Sequence, residues 1–428
     1  MMSKISKVVK NEYVFSVIVK IIVIGIGFIQ SIFLARFLGA SLKGTSAYIS
    51  SILSVCSIIF TFGMHQAYPY YKKKIGKENF FDNYMTIIYS VFCIYLLLSL
   101  IFYFMLKEID LDVRCAVLLL PITYLANCFQ YIYLIDAPNK RNLLYLIVTT
   151  LHFSLLLILY FFFSANYLWM VILLCFDNIL KVIFYSLKLK FKVAFSRKTL
   201  KFFKEFVKFG FFPMLALLMT TLNYRIDVIM LKQYSSITNE MIGIYSLGIS
   251  LSDKIVLLPD TLKGTLASKL ANGKEDDEVS KVSRICFAST LLLSLLIIVF
   301  GQPVINILYG SEFHGAYGIV VITAVGAIFV SFFKLIAQYN IINKKQYLNV
   351  ILLSLAIVTD VIGNLILIPI MGINGAAIAT CLGNLICGIV FIIYFCRKTN
   401  TSPRRMFFLQ KNDLDLLKSL FMHANKSK

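Results

Sequence analysis

Residues 348–370 read LNVILLSLAIVTDVIGNLILIPI, and their single charged side chain, Asp360, stands close to the middle of the run. An apolar stretch of about 20 residues, rising 1.5 Å per residue, crosses the roughly 30 Å hydrocarbon core of a bilayer. The run is longer than a soluble core helix needs, and apolar side chains cover it on every face. It therefore predicts a membrane-spanning helix. Working outward, comparable runs lie at about 14–38, 46–71, 83–106, 113–135, 142–164, 167–187, 206–231, 241–262, 284–309, 316–341 and 374–396. With 348–370 they make about a dozen spans, so both chain ends are expected on one side of the membrane.

The composition agrees. Of 428 residues, 59% are hydrophobic and 15% charged, with a mean hydropathy of +0.82; soluble domains average about 45–50% and about 25%. A net charge of +21 would suggest a nucleic-acid partner in a soluble chain. Here the placement of the charge excludes that partner. If the N-terminus is cytoplasmic, 31 of the 42 Lys and Arg residues fall in inner segments and four (Lys43, Lys107, Arg114, Lys232) at the outer loops. That skew follows the positive-inside rule and predicts a bacterial inner-membrane protein with both termini cytoplasmic. Lys4, Lys7 and Lys10 precede a first apolar run reaching Leu38. The run is too long for a signal peptide and no A-x-A site follows, so it is expected to be a retained span. Nine scattered cysteines show no C-x-x-C spacing, which indicates neither a metal site nor a disulfide framework.

The longest inner segment follows the sixth run and divides the chain. The expected organisation is an N-terminal six-helix lobe at 1–187, a basic cytoplasmic linker at 188–205, a C-terminal six-helix lobe at 206–396 and a basic cytoplasmic tail at 397–428. In the linker, Phe191, Phe195, Phe202 and Phe203 alternate with lysines, a pattern that suits either an amphipathic surface helix or a plain connector. The stretch 34–52 resembles 228–251: each has a helix end, a short turn, then a start rich in small residues and Tyr. That spacing suits two parallel six-helix repeats.

Charged side chains at bilayer depth are costly and usually face a bundle interior or a wet cavity. Asp360 is expected within about 2 Å of the midplane, as a cavity or ion-binding carboxylate or as half of a buried pair. Asp253 and Lys254 are adjacent in the eighth run, about 100° apart on a helix, so each is expected to meet a different neighbour. Pro259 marks a kink, hinge or static. Arg225 and Asp227 lie in the seventh run, the arginine assigned to the cavity and the aspartate to a cavity or a packing role. Lys20, Lys334 and Arg36 either line the cavity or snorkel to an interface. Asp177 and Lys181 have the i,i+4 spacing of a local ion pair. His65 is a candidate proton carrier or a structural hydrogen-bonder. A cavity carrying Arg225, Lys254, Lys20, Lys334 and Arg36 against Asp360, Asp253 and Asp227 would attract an anion such as a phosphate. Neither a Walker A loop, nor HExxH, nor GxSxG is present, so no enzyme chemistry and no cofactor is expected.

Four pieces, in order, carry a family resemblance: LARFLGASLKGTSAYI (34–49), NYRIDVIML with IGIYSLGISLSD (223–253), ILYGSEFHGAYGIV (307–320) and NLILIPIMGINGAAIATCLGN (364–384). Together they resemble the Wzx-type polysaccharide flippases of the multidrug/oligosaccharidyl-lipid/polysaccharide exporter superfamily. The family's first turn is Pro-Glu-x-Phe-Gly, where this chain has Ala-Ser-Leu-Lys-Gly at 40–44. The resemblance implies an all-α fold of about twelve helices in two six-helix lobes, working by alternating access. It implies flipping of undecaprenyl-pyrophosphate-linked oligosaccharide for O-antigen, capsule or exopolysaccharide synthesis, driven by an ion gradient. It further implies a lipid-linked oligosaccharide substrate, membrane lipids and a polysaccharide polymerase with its chain-length machinery as partners. Alternatives are a drug or cation antiporter of the same superfamily, whose cavity should be net acidic, and a membrane-embedded polymerase, which should show a large outer loop.

Overall fold

A computed structural model describes residues 12–410 and 413, except 76, 188, 190, 194–196 and 272–275. Lys4, Lys7, Lys10 and the tail beyond residue 410, Asp413 aside, lie outside the described residues. Among the described residues every regular element is helical. In chain order they are α1 Glu12–Phe60, α2 Met64–Ile75, α3 Lys77–Met105, α4 Leu111–Asp136, α5 Pro138–Phe162, α6 Tyr167–Ser186 and α7 Arg197–Leu231. There follow α8 Asn239–Ile255, α9 Leu257–Ala271, α10 Asp276–Tyr309, a 3₁₀ turn at Ser311–Phe313, α11 Ala316–Ile342, α12 Gln346–Met371, α13 Ile373–Thr399 and the short α14 Arg404–Phe407.

Ten of these stretches are long and apolar enough to cross a membrane, or eleven when Asn239–Ile255 and Leu257–Gly264 form one broken span. The first stretch, Ile18–Lys73, has 56 residues, about 84 Å of helix, enough for two crossings. It bends at Gly39, whose φ of 66° and ψ of 176° belong to a region that side chains other than hydrogen rarely enter. Divided there, the helices number about twelve. The outer turn expected near residue 40 is thus a glycine bend inside a helix rather than a coil.

The chain forms two compact units. The first comprises residues 1–232 with 238–243, the second 233–237 with 244–428. The first unit has an aromatic core at one end, where Tyr68, Phe80, Tyr84, Phe129, Tyr185 and Phe206 are buried. Tyr68 and Tyr84 lie 4.9 Å apart, and Tyr71 meets Phe206 edge-on at 4.9 Å. Such pairs contribute about 0.5–1.5 kcal/mol each beyond their burial.

That core changes the reading of the segment 188–205. Residues 197–205 are the opening turns of α7, continuous with the seventh span. Phe191 stacks on Tyr89 at 5.1 Å, and Phe202 and Phe203 pack against the core around Phe206. Lys192 N–H donates to Asp82 Oδ1 at 3.0 Å, and Thr199 Oγ1 donates to Asn83 Oδ1 at 2.6 Å. Phe191, Phe202 and Phe203 pack on the unit's own helices, where ring packing is available, and Phe195 lies outside the described residues. α7 packs on α1, α2 and α3, so the seventh span, expected in the second lobe, sits with the first unit.

In the second unit, α13 packs along α11 and α12, and α10 along α11. Gly372 alone joins α12 to α13; its φ of 59° turns the chain back at once. The bend between α8 and α9 is 47°. It falls where Pro259, lacking an N–H, leaves the Ile255 carbonyl without its i+4 donor.

Candidate functional site

The structure sorts the expected intramembrane charges by exposure. Lys20, Arg36, Arg225 and Lys254 are exposed, as is Asp253, whereas Asp227 and Asp360 are each 2% exposed. Lys334 is half-buried and its Nζ reaches Asp260 Oδ2 at 2.6 Å, while Lys263 bonds the other oxygen at 2.9 Å. Asp260 was not among the expected cavity carboxylates, and it occupies the charge of Lys334. Pro259 is buried beside it.

Asp360 Oδ1 accepts a hydrogen bond from Asn364 Nδ2 at 3.2 Å, one helical turn along α12. Gly383 of α13 faces it: a Cβ there would stand 3.1 Å from the Asp360 Cβ. Nearby in the same unit, Tyr245 and Thr380 share a hydrogen bond at 3.0 Å. The carboxylate at the centre of the opening run is therefore enclosed by helix packing and held by an amide.

Arg225 lies within electrostatic reach of Lys43 on α1. Two like charges near each other repel unless an anion lies between or beside them. Lys232, at the end of α7, is by contrast neutralised. Its Nζ reaches Asp112 Oδ2 at 3.2 Å and Asn239 Oδ1 at 2.8 Å, and Tyr167 O–H donates to Asp112 Oδ1 at 3.0 Å.

The expected Asp177–Lys181 pair is not a close contact. Asp177 Oδ1 lies 2.8 Å from His152 Nδ1 on α5, and the Lys181 ammonium sits 5.8 Å from the centre of the Tyr145 ring. His152 makes the close contact, while Asp177 and Lys181 stay within electrostatic reach of each other.

The first unit also holds a cavity of about 560 Å³. It is lined by Ser57, Ile58 and Thr61 from the end of α1 and the turn after it, His65 and Gln66 of α2, Asn127, Gln130, Tyr131 and Leu134 of α4, Arg141 of α5 and Leu217 of α7. His65, expected as a proton carrier or a structural hydrogen-bonder, meets Tyr131 edge-on at 5.1 Å, and its Nδ1 is buried without a hydrogen-bond partner. The polar residues of α4 recur at three- and four-residue steps inside the apolar run 113–135. That periodicity is the sequence signal for one polar face, carried by uncharged side chains.

These features define a polytopic α-helical membrane protein, and solved structures share its fold. The lipid II flippase MurJ in an inward closed conformation superposes with a TM-score of 0.74 at 16% identity, covering 95% of this chain and 92% of that one. A multidrug resistance MATE transporter of the MOP superfamily, inward-facing, gives 0.65 at 12% identity, covering 88% and 94%. A MOP superfamily transporter from Pyrococcus furiosus, described as having a binding pocket of reverse polarity, gives 0.56 at 12% identity, covering 93% and 95%. In sequence, the family model described as polysaccharide biosynthesis protein matches residues 9–259, and that of the lipid II flippase MurJ matches 241–424. The chain belongs to the polysaccharide biosynthesis protein family. No curated protein matches it in sequence.

Proposed function

We propose that the protein flips a pyrophosphate-linked saccharide, carried on a polyprenyl lipid, from the inner to the outer leaflet of a bacterial cytoplasmic membrane. The carrying observation is the asymmetry of exposure. Of the eight charged residues expected at depth, the exposed ones are Lys20, Arg36, Arg225, Lys254 and Asp253: four cations and one carboxylate. A cation exposed at bilayer depth faces water more cheaply than lipid. Within the first unit Lys20, Arg36 and Arg225 are all cations, and exposed positive charge in a low-dielectric surround concentrates anions. A drug or cation antiporter needs the opposite balance. A pyrophosphate suits ammonium and guanidinium donors.

On this reading both termini are cytoplasmic and the cycle is alternating access. Asp360, buried and held by Asn364, takes the coupling cation, so that flipping follows an ion gradient. The glycan is a surface polysaccharide unit of the O-antigen or capsule kind, handed on to a polymerase with its chain-length machinery.

The test is binding and flipping in reconstituted vesicles. Arg225→Ala and Lys254→Ala are each expected to weaken binding of a polyprenyl-pyrophosphate lipid about tenfold, the loss of one charge-assisted contact. Asp360→Asn should bind that lipid normally yet flip it at a rate indifferent to the gradient. Unchanged binding in both alanine variants would refute the anionic substrate.

A further inference from the structure

The polar cavity of the first unit is lined by an arginine whose Nε has no hydrogen-bond partner. Arg141 Nε is buried without a hydrogen-bond partner, and among the described residues Arg141 makes no ion pair. The carboxylates around this end of the unit are committed elsewhere. Asp136 accepts from Tyr68 O–H at 2.7 Å and is paired with Lys72, and Asp177 is held by His152. Leaving a buried charged donor unpaired costs more than a neutral one, and a guanidinium fork matches a carboxylate or phosphate.

The rest of the lining is of a different kind. Gln66, Asn127 and Gln130 present carboxamides, each both donor and acceptor, and Tyr131 adds an aromatic ring. Such groups match sugar hydroxyls, which also donate and accept, while offering nothing special to a bare pyrophosphate. The volume of about 560 Å³ falls in the range of small-molecule sites, about 300–1,000 Å³.

We propose that this cavity recognises an acidic sugar of the lipid-linked substrate, a hydroxylated ring bearing a carboxylate or phosphate. The acid group pairs with Arg141, and the ring hydroxyls bond the three carboxamides. The inference rests on the substrate being a lipid-linked saccharide, and it assigns the glycan to a place distinct from the exposed cations that take the pyrophosphate. Arg141 lies near the start of α5, so on the orientation proposed above it stands at the cytoplasmic end of the cavity, where the substrate arrives.

The experiment uses the full chain in lipid nanodiscs and three probes on a short ten-carbon prenyl chain: the bare pyrophosphate, a glucosyl pyrophosphate and a glucuronosyl pyrophosphate. The protein is expected to bind the glucuronosyl probe about tenfold more tightly than the glucosyl one. Arg141→Gln should abolish that difference while leaving the bare pyrophosphate affinity unchanged, which also shows that the variant is folded. Asn127→Ala with Gln130→Ala should weaken both sugar probes relative to the bare one. Equal binding of the two sugar probes by the unaltered protein overturns the proposal. So does an equal loss of all three probes in Arg141→Gln, which would place the pyrophosphate itself at this arginine, and so does a double alanine variant that binds like the unaltered protein. Failure of all three probes to bind the unaltered protein overturns the flippase reading as well.

Discussion

At the scale of single residues, some charges are locked into close buried pairs while others stand exposed. The most committed pair is Arg284 with Asp413. Arg284 Nε and Nη2 donate to the two Asp413 oxygens at 2.7 and 2.9 Å, both side chains are almost fully buried, and Arg284 Nη1 donates to the Arg405 carbonyl at 2.7 Å. Burial alone would push the Asp413 carboxyl up, but the Arg284 hydrogen bonds and charge, the Gln410 N–H and the charge of Lys281 outweigh it and hold it below the ordinary carboxylate range. Because the folded value is the lower one, the stabilisation is fully present above the unfolded carboxylate value of about 3.9 and is lost as pH falls through the folded value. Asp413→Asn, which strands a buried guanidinium, is expected to cost about 3 kcal/mol at neutral pH. Thermal unfolding in detergent should show a lowered midpoint at pH 7 and a gap that narrows toward pH 3. A gap that widens on acidification would contradict the pairing.

At the scale of elements, close backbone approach decides which helices meet. In the first unit a Cβ on Gly44 would stand 1.7 Å from the Asn239 carbonyl oxygen, and one on Gly243 would stand 1.9 Å from that of Ala40. No side chain fits in either gap. Gly44 and Gly243 belong to the two stretches whose likeness suggested an internal repeat, GTSAY at 44–48 and GIYS at 243–246. The repeated small residue is the contact. Gly243→Val is therefore expected to force α8 away from α1. A cysteine pair at Ala40 and Gly243 positions would be confounded by this, so the measurement is disulfide trapping between Ser41→Cys and Glu240→Cys, with and without Gly243→Val. The valine should cut cross-linking several-fold; an unchanged yield would show that the backbones do not need to touch. The segment 188–205 teaches a related point. Its alternation of Phe with Lys was legible, but its destination was not, because an apolar face that suits a membrane surface suits an aromatic core equally well.

At the scale of the whole molecule, the charge skew predicts the orientation. Glu108→Cys, in the short turn before α4, is expected to react with a membrane-impermeant maleimide added to intact cells. Ser402→Cys, after α13, should react only once the membrane is opened, both measured over the unaltered protein as background. The reverse pattern would invert the topology and place the polar cavity's Arg141 end on the outer side.

The sequence by itself determined the class of the protein. Apolar run length specifies spanning helices because the bilayer core has a fixed thickness and every buried backbone group must be paired within the helix. The structure finds Asp360, the lone charge of 348–370, buried. What only the tertiary structure decided is which charges are spent. Lys334 and Lys20 look alike in sequence, each a lone cation in the inner half of an apolar run. Yet Lys334 is bound to Asp260, seventy-four residues away, and Lys20 is exposed. Asp177 takes its close contact from a histidine on another helix rather than from its i+4 lysine, and Arg141, counted with the solvated inner charges, proved to line a polar cavity. The reason is physical: span length and depth are properties of one helix, whereas pairing depends on side chains brought together by helices distant in sequence, and a single chain's periodicity carries no record of that neighbour.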